Sequence, residues 1–184
     1  MTVFLIVGLP GAGKTTRARE LEAERSALRL TPDEWQMAVF DRDSPTRWRS
    51  AERAAHRDRL EGKLIEIGLR AADLGLDVVL DFGFWGTDER SALRWIAAAR
   101  GLRTEVVYLP IGYDEQRRRI TARSGGDPAQ FEMSDAELRQ WHTRFQAPDV
   151  DELRDGTIPA VPAGHASWAA WARARWPSWR PGQG

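Results

Sequence analysis

The stretch that most constrains this chain is "LIVGLPGAGKTT", positions 5–16. Gly8-Leu9-Pro10-Gly11-Ala12-Gly13-Lys14-Thr15 matches the pattern G-x-x-x-x-G-K-S/T in full. A short apolar run with β-branched residues, "TVFLIV", stands before it, and "KTTRARELEAER" reads as a helix after it. In that setting the glycines let the backbone curl until its N–H groups point inward at phosphate oxygens. The helix N-terminus adds partial positive charge. The expected nucleotide-binding residues are Gly8, Gly11, Ala12, Gly13, Lys14, Thr15 and Thr16. Lys14 is expected to reach the β- and γ-phosphates of ATP, and the Thr15 hydroxyl to ligate Mg²⁺. A glycine turn that merely joins strand to helix is the alternative, and this context disfavours it.

The length of 184 residues suits one domain with one core and a small lid. A net charge of zero provides no global field to gather nucleic acid, although a local basic groove is compatible with it. Without cysteine there are neither disulfides nor thiolate chemistry. Residues 1–7 are short, uncharged and run straight into the glycine loop, unlike a secretory leader, and no apolar run reaches membrane-spanning length. The expected compartment is the cytoplasm. Of 27 basic residues only Lys14 and Lys63 are lysines, so a lysine at the motif's required position stands out against a background of arginine.

Further along, strands and helices alternate. "ALRL", "DVVLDF" and "TEVVYLP" read as strands, and "TIPAV" as a last, weaker one because of its proline. "PDEWQMAVF", a long charged stretch ending near Asp73, "TDERSALRWIAAAR", "YDEQRRRITAR", "SDAELRQWHTRFQ" and "GHASWAAWARARW" read as helices. Thr87 is placed to cap one of them, and Ser134 with Glu137 to form a capping box on another. The alternation predicts an α/β fold with a parallel sheet of five strands covered on both faces. The loops after the strands then share one edge. The reading is one domain over residues 1–184, with a helical lid at about 114–140 and a tryptophan-rich helix and tail at 164–184.

Asp33 follows the second strand, in "LRLTPDEW". There a carboxylate can accept the proton of an attacking hydroxyl, or serve only as a first-turn helix acid. Asp81 ends the strand "DVVLD" at a Walker B position, where it would hold Mg²⁺ or orient the acceptor; a strand-end turn is the alternative. Arg119 and Arg123 share a helix face before the glycine pair of "SGGDP", so they are candidates to neutralise transferred charge as a lid closes. A solvated basic face is the competing reading. Arg90 faces the same loop edge and would contact substrate or pair with an acid. Trp35, Trp48 and Trp85 lie in or beside those loops and would line an acceptor pocket or pack the core. Trp168 and Trp171 share a face and are expected to pack the last helix on the core. His56, His142 and His165 show no metal-ligand spacing and receive no role.

"GLPGAGKTT", "LTPDEW", "VVLDFGFWGTDER" and "RRRITAR" with the later "FQAPDVDE" occur in the order found in a known group. The chain resembles the small P-loop kinases that include the polynucleotide 5′-kinase, zeta-toxin and chloramphenicol phosphotransferase families, over roughly residues 2–153. The resemblance implies an adenylate-kinase-like three-layer α/β/α core, ATP·Mg²⁺ as donor and a hydroxyl as acceptor. By matching position it casts Asp33 as general base and Arg119 and Arg123 as lid arginines. It assigns nothing to residues 41–70 or to the tryptophan-rich tail. The absence of any asparagine excludes the Asn-Lys-x-Asp motif of guanine-selecting switches. The expected activity is phosphoryl transfer to a small-molecule hydroxyl, with a polynucleotide 5′-hydroxyl or a non-catalytic ATP-binding switch as alternatives.

Overall fold

The computed structural model describes residues 1–40, 51–124 and 134–180. Among them are four strands, β1 (Thr2–Val7), β2 (Leu28–Leu30), β3 (Val78–Gly83) and β4 (Arg103–Tyr108). They form one parallel sheet in the order β2-β3-β1-β4. The helices are α1 (Lys14–Arg25), α2 (Pro32–Val39), α3 (Ala51–Asp73), α4 (Thr87–Ala98), α5 (Tyr113–Ser124), α6 (Asp135–Arg144), α7 (Val150–Leu153) and α8 (Trp168–Arg175).

The central strand β1 shows why the sheet is covered on both faces. All six of its residues are buried, and successive side chains point to opposite sides. Val3, Leu5 and Val7 join a cluster with Leu64, Leu69, Leu93 and the tail tryptophans. Phe4 and Ile6 pack on the other side against Ala18 and Leu21 of α1. The three-layer arrangement therefore follows from a strand that is apolar at every position.

The fifth strand anticipated at "TIPAV" is not formed; residues 157–161 are irregular. Pro159 has no N–H to give to a ladder, and its carbonyl is used instead by the Trp168 indole N–H at 3.0 Å. Ile158 and Val161 still pack on the core. Thr87 likewise does not cap α4. Gly86 holds that position, its N–H donating to the Glu89 carboxylate at 3.2 Å, while the Thr87 hydroxyl accepts from Arg90 at 3.1 Å. The Ser134–Glu137 capping box is present as read.

The last helix packs through its tryptophans. Trp168 is buried and meets Trp171 edge-on at 5.9 Å, and Trp171 meets Trp176 at 5.8 Å. The chain beyond α8 lies directly on α3 at Gly62. A Cβ there would lie 2.8 Å from the Trp179 backbone nitrogen and 3.2 Å from Trp176 Cβ, and would collide with the Ser178 hydroxyl. Gly62→Ala is therefore expected to lower stability by about 1–3 kcal/mol by wedging the tail off α3. Urea unfolding measures this loss, and an unchanged midpoint would show that the tail yields without cost.

Parallel β2, β3 and β1 end side by side. Leu30 is level with Leu80, and Val7 with Gly83. The loops after these three strands consequently open at the same edge, and the Gly8 N–H donates to the Gly83 carbonyl at 3.3 Å.

Candidate active site

The loop between β1 and α1 has the conformation that its glycines allow. Gly11 and Gly13 have φ of +85° and +92°, a region that side chains with a Cβ seldom occupy. No atom would lie within 4 Å of a Cβ at Gly13, so the mouth of the loop is open there. The Lys14 ammonium turns back to donate to the Leu9 carbonyl at 3.1 Å. Thr15 and Thr16 are exposed in the first turn of α1, and Ala12 is buried beneath the loop. Gly8, Gly11, Ala12, Gly13, Lys14, Thr15 and Thr16 thus line one concave turn of backbone at a helix N-terminus.

Asp81 lies next to this loop, 4% exposed, near the end of β3. Burial pushes its carboxyl above the ordinary carboxylate range, against the pull of Lys14, Arg29 and the Thr15 hydroxyl. Its Oδ2 is 3.5 Å from Arg29 Nη1, and neither atom has a hydrogen-bond partner. A buried carboxylate oxygen without a donor, beside Lys14 and Thr15, suits a water-mediated or direct contact to Mg²⁺. No group of three or more acidic or histidine side chains among the described residues forms a metal cage. A hydrated cation shared with phosphate oxygens fits the residues present better than an all-protein site.

Asp33 is the second residue of α2 and is exposed. It is close enough to Asp81 for its charge to raise the Asp81 pKa. Its Oδ1 accepts from Arg57 of α3 in a very short contact. Arg57 is itself fixed: its Nε donates to Glu61 at 2.9 Å and its Nη2 reaches the Phe82 carbonyl at 3.4 Å. Neighbouring Glu34 holds Arg29 through both oxygens, at 2.8 and 3.0 Å.

On the opposite side of the loop, Arg119 of α5 donates to the Gly11 carbonyl at 3.2 Å and to Glu115 at 2.6 Å. The Arg123 side chain, residues 125–133 of the anticipated lid, and Trp48 lie outside the described residues. Gln116, fully buried, donates to the Pro10 carbonyl at 2.9 Å, and its Oε1 meets His142 Nε2 at 2.7 Å. Because the Gln116 amide nitrogen is directed at a carbonyl, its oxygen faces the histidine, and His142 Nε2 must be the donor. His142 thereby joins α6 to the phosphate loop.

Arg90 needs correcting as a substrate contact. It is 0% exposed. Its guanidinium forms two bonds to Glu152, at 2.7 and 2.9 Å, and one to the Phe84 carbonyl at 3.0 Å. Of its two readings, the ion pair is the one present, and its location allows no substrate to reach it. Trp85 is half-buried and meets Trp141 edge-on at 5.7 Å. A Cβ on Gly83 would lie 3.4 Å from Lys14 Cε and 3.5 Å from Trp85 Nε1, so this indole flanks the loop lysine. Trp35, 45% exposed, is on α2 two residues beyond Asp33.

Arg29, Arg57, Gln116 and Glu152 escaped the sequence reading. Arg57 lies in a charged stretch whose spacing resembles a solvated helix face, and Glu152 acts on a partner 62 positions away. The one local signal at Glu152 is the capping box that it forms with Asp149, and it does not point to Arg90.

The AAA domain family profile matches residues 3–148. The chain belongs to that family. The AAA domain accounts for β1 through α6, including every residue placed at the phosphate loop, while α7, α8 and the tail lie beyond it. No curated protein matches the chain in sequence. Solved structures share the fold at low identity. A candidate kinase from Chloroflexus aurantiacus J-10-fl is 16% identical with a TM-score of 0.61, over 89% of this chain and 83% of its own. Kti12 of Chaetomium thermophilum, in complex with ADP-AlF3, is 19% identical with a TM-score of 0.56, over 95% of each chain. A gluconokinase from Sinorhizobium meliloti 1021 is 13% identical with a TM-score of 0.55, over 96% of this chain and 90% of its own. The fold is that of P-loop kinases, an α/β parallel sheet between helical layers. No helix among the described residues is long and apolar enough to cross a membrane.

Proposed function

We propose that this AAA domain is a P-loop kinase that moves the γ-phosphoryl group of ATP to a hydroxyl of a small molecule. The observation that carries this is Asp33: an exposed carboxylate held by Arg57 beside Asp81 and the phosphate loop. A domain that only bound nucleotide would need no such group. ATP·Mg²⁺, when bound, supplies the transferable phosphoryl group and neutralises charge that develops on it. The backbone N–H groups of Gly11, Gly13, Lys14, Thr15 and Thr16 would hold the phosphate chain, and Lys14 would leave the Leu9 carbonyl to meet it. Thr15 and Asp81 are the residues that would hold the cation. Asp33 Oδ2, the oxygen without Arg57, accepts the proton of the acceptor hydroxyl. Arg119 is poised over the loop to meet transferred charge, with Arg123 one helical turn further on.

Trp35 and Trp85 give the acceptor side an aromatic character that suits a nucleoside, a sugar or an antibiotic. Arg57, which meets Asp33, and Arg29, which meets Glu34 and Asp81, are each paired with acids. That favours a neutral acceptor over a phosphorylated strand. The narrower resemblance to the polynucleotide kinase, zeta-toxin and chloramphenicol phosphotransferase group supports the same chemistry, and the cytoplasm is the compartment proposed for it.

Mass spectrometry of reactions with ATP and Mg²⁺ tests the reading, with nucleosides, sugars, hydroxylated antibiotics and 5′-hydroxyl oligonucleotides as acceptors. The expected result is one added phosphoryl group on one small acceptor, abolished by chelating the metal. Phosphorylation of the oligonucleotide alone would move the assignment to nucleic acid ends. ATP bound without transfer to any acceptor would favour a switch.

A further inference from the structure

The family match ends at residue 148, yet the segment beyond it reaches back to the proposed base. Glu61 of α3 is 5% exposed and divides its two oxygens among three neighbours. Oε1 accepts from Arg57 Nε at 2.9 Å. Oε2 accepts from Arg175 Nη2 at 3.3 Å and from the Trp176 indole N–H at 3.2 Å. Arg175 is the last residue of α8. Its other nitrogens take Asp58 of α3 at 2.6 Å and Glu89 of α4 at 2.9 Å. Trp176 is fully buried.

The series is continuous: Arg175 and Trp176 to Glu61, Glu61 to Arg57, Arg57 to Asp33. A guanidinium is planar, so fixing its Nε fixes the direction of both Nη donors. Glu61 holds Arg57 by Nε, Nη2 rests on the Phe82 carbonyl, and Nη1 then sets which oxygen of Asp33 is occupied and which faces outward. Glu61 could itself turn about its last torsion, which is soft. The two donors from the tail remove that freedom.

Resting on the kinase reading above, we infer that Arg175 and Trp176 are positioning residues for phosphoryl transfer: through Glu61 and Arg57 they orient the Asp33 carboxylate. The tryptophan-rich tail is on this account part of the machinery of the site as well as of the core. The side-chain hydrogen bonds of Arg175 and Trp176 go to Asp58, Glu61 and Glu89 and to no residue of the phosphate loop, so losing them should act on the rate of transfer and leave ATP binding intact.

Two variants and two readouts test this. Trp176→Phe removes the indole N–H and leaves a small cavity in a buried site, and Arg175→Met removes the cationic fork while keeping much of the stem. In the parent, a proton–nitrogen correlation spectrum should show a slowly exchanging Arg57 Nε–H signal, assigned by its loss in Arg57→Lys. We expect that signal to shift in Trp176→Phe and to broaden or vanish in Arg175→Met. With the acceptor found by the panel, kcat should fall about tenfold to a hundredfold in Arg175→Met, as for a misplaced reacting group, with KM for ATP unchanged. Arg175→Lys should restore part of kcat. An Arg57 signal unmoved in both variants would overturn the inference, and so would a full kcat with only a lowered melting temperature. The spectrum requires no acceptor. A parent that phosphorylates nothing therefore sinks the kinase reading separately from the coupling between tail and Arg57.

Discussion

Asp33→Asn is expected to lower phosphoryl transfer about a hundredfold to ten-thousandfold, the usual range for losing a general base. The substitution keeps size and one carbonyl oxygen, so Arg57 Nη1 retains an acceptor, while the ability to take up a proton at the second oxygen is lost. Because Asp33 belongs to α2 and is no part of the loop that would hold phosphate, ATP affinity should change little. Steady-state kcat and KM, together with an ATP titration of the same preparation, separate these two quantities. A variant with parental kcat would make Asp33 merely an acid in the first turn of α2, where the helix dipole favours one.

The largest stability effect is expected at Glu152→Ala. This change would leave Arg90 charged, fully buried and without its bidentate partner. Breaking such a pair from one side costs about 3–5 kcal/mol. At about 2–4 °C per kcal/mol for a chain of this size, the melting temperature should drop by about 6–20 °C. Replacing both partners, as Arg90→Met with Glu152→Leu, should recover most of the loss, because no unpaired charge then remains. Scanning calorimetry of the single and double variants decides. A double variant as unstable as the single one would mean that the bond from Arg90 to the Phe84 carbonyl matters more than the charge pair. Phe84 makes that alternative concrete, since it has φ of +28° in the β3–α4 loop and Arg90 is the side chain that secures its carbonyl.

These two sites differ in how they could be found. Asp33 was legible because a loop after a strand next to a glycine motif is short-range information: the order of elements sets the edge on which the carboxylate falls. Asp81 was legible for the same reason, from an acid at the end of an apolar strand. Arg90 pointed to the right neighbourhood and to two roles, and only the packing of α7 on that loop separated them. Arg57 was not legible, since helical spacing shows which residues share a face but not what comes to cover that face. What covers it is residues 175–179, more than a hundred positions downstream. The strand read at "TIPAV" failed through a related competition, in which a proline carbonyl found a tryptophan N–H and left the ladder.

The sequence alone determined the phosphate loop, the parallel α/β layering and the loop edge where Lys14, Asp33 and Asp81 meet. Glycine conformation, strand apolarity and right-handed crossovers all act over a few residues or one βα unit. The tertiary structure alone decided which guanidinium holds which carboxylate. Ion pairs among 27 basic and 27 acidic residues are degenerate in sequence, and burial selects among them. An unpaired charge out of water is costly, so burial favours pairings such as Arg90 with Glu152 and Arg57 with Glu61.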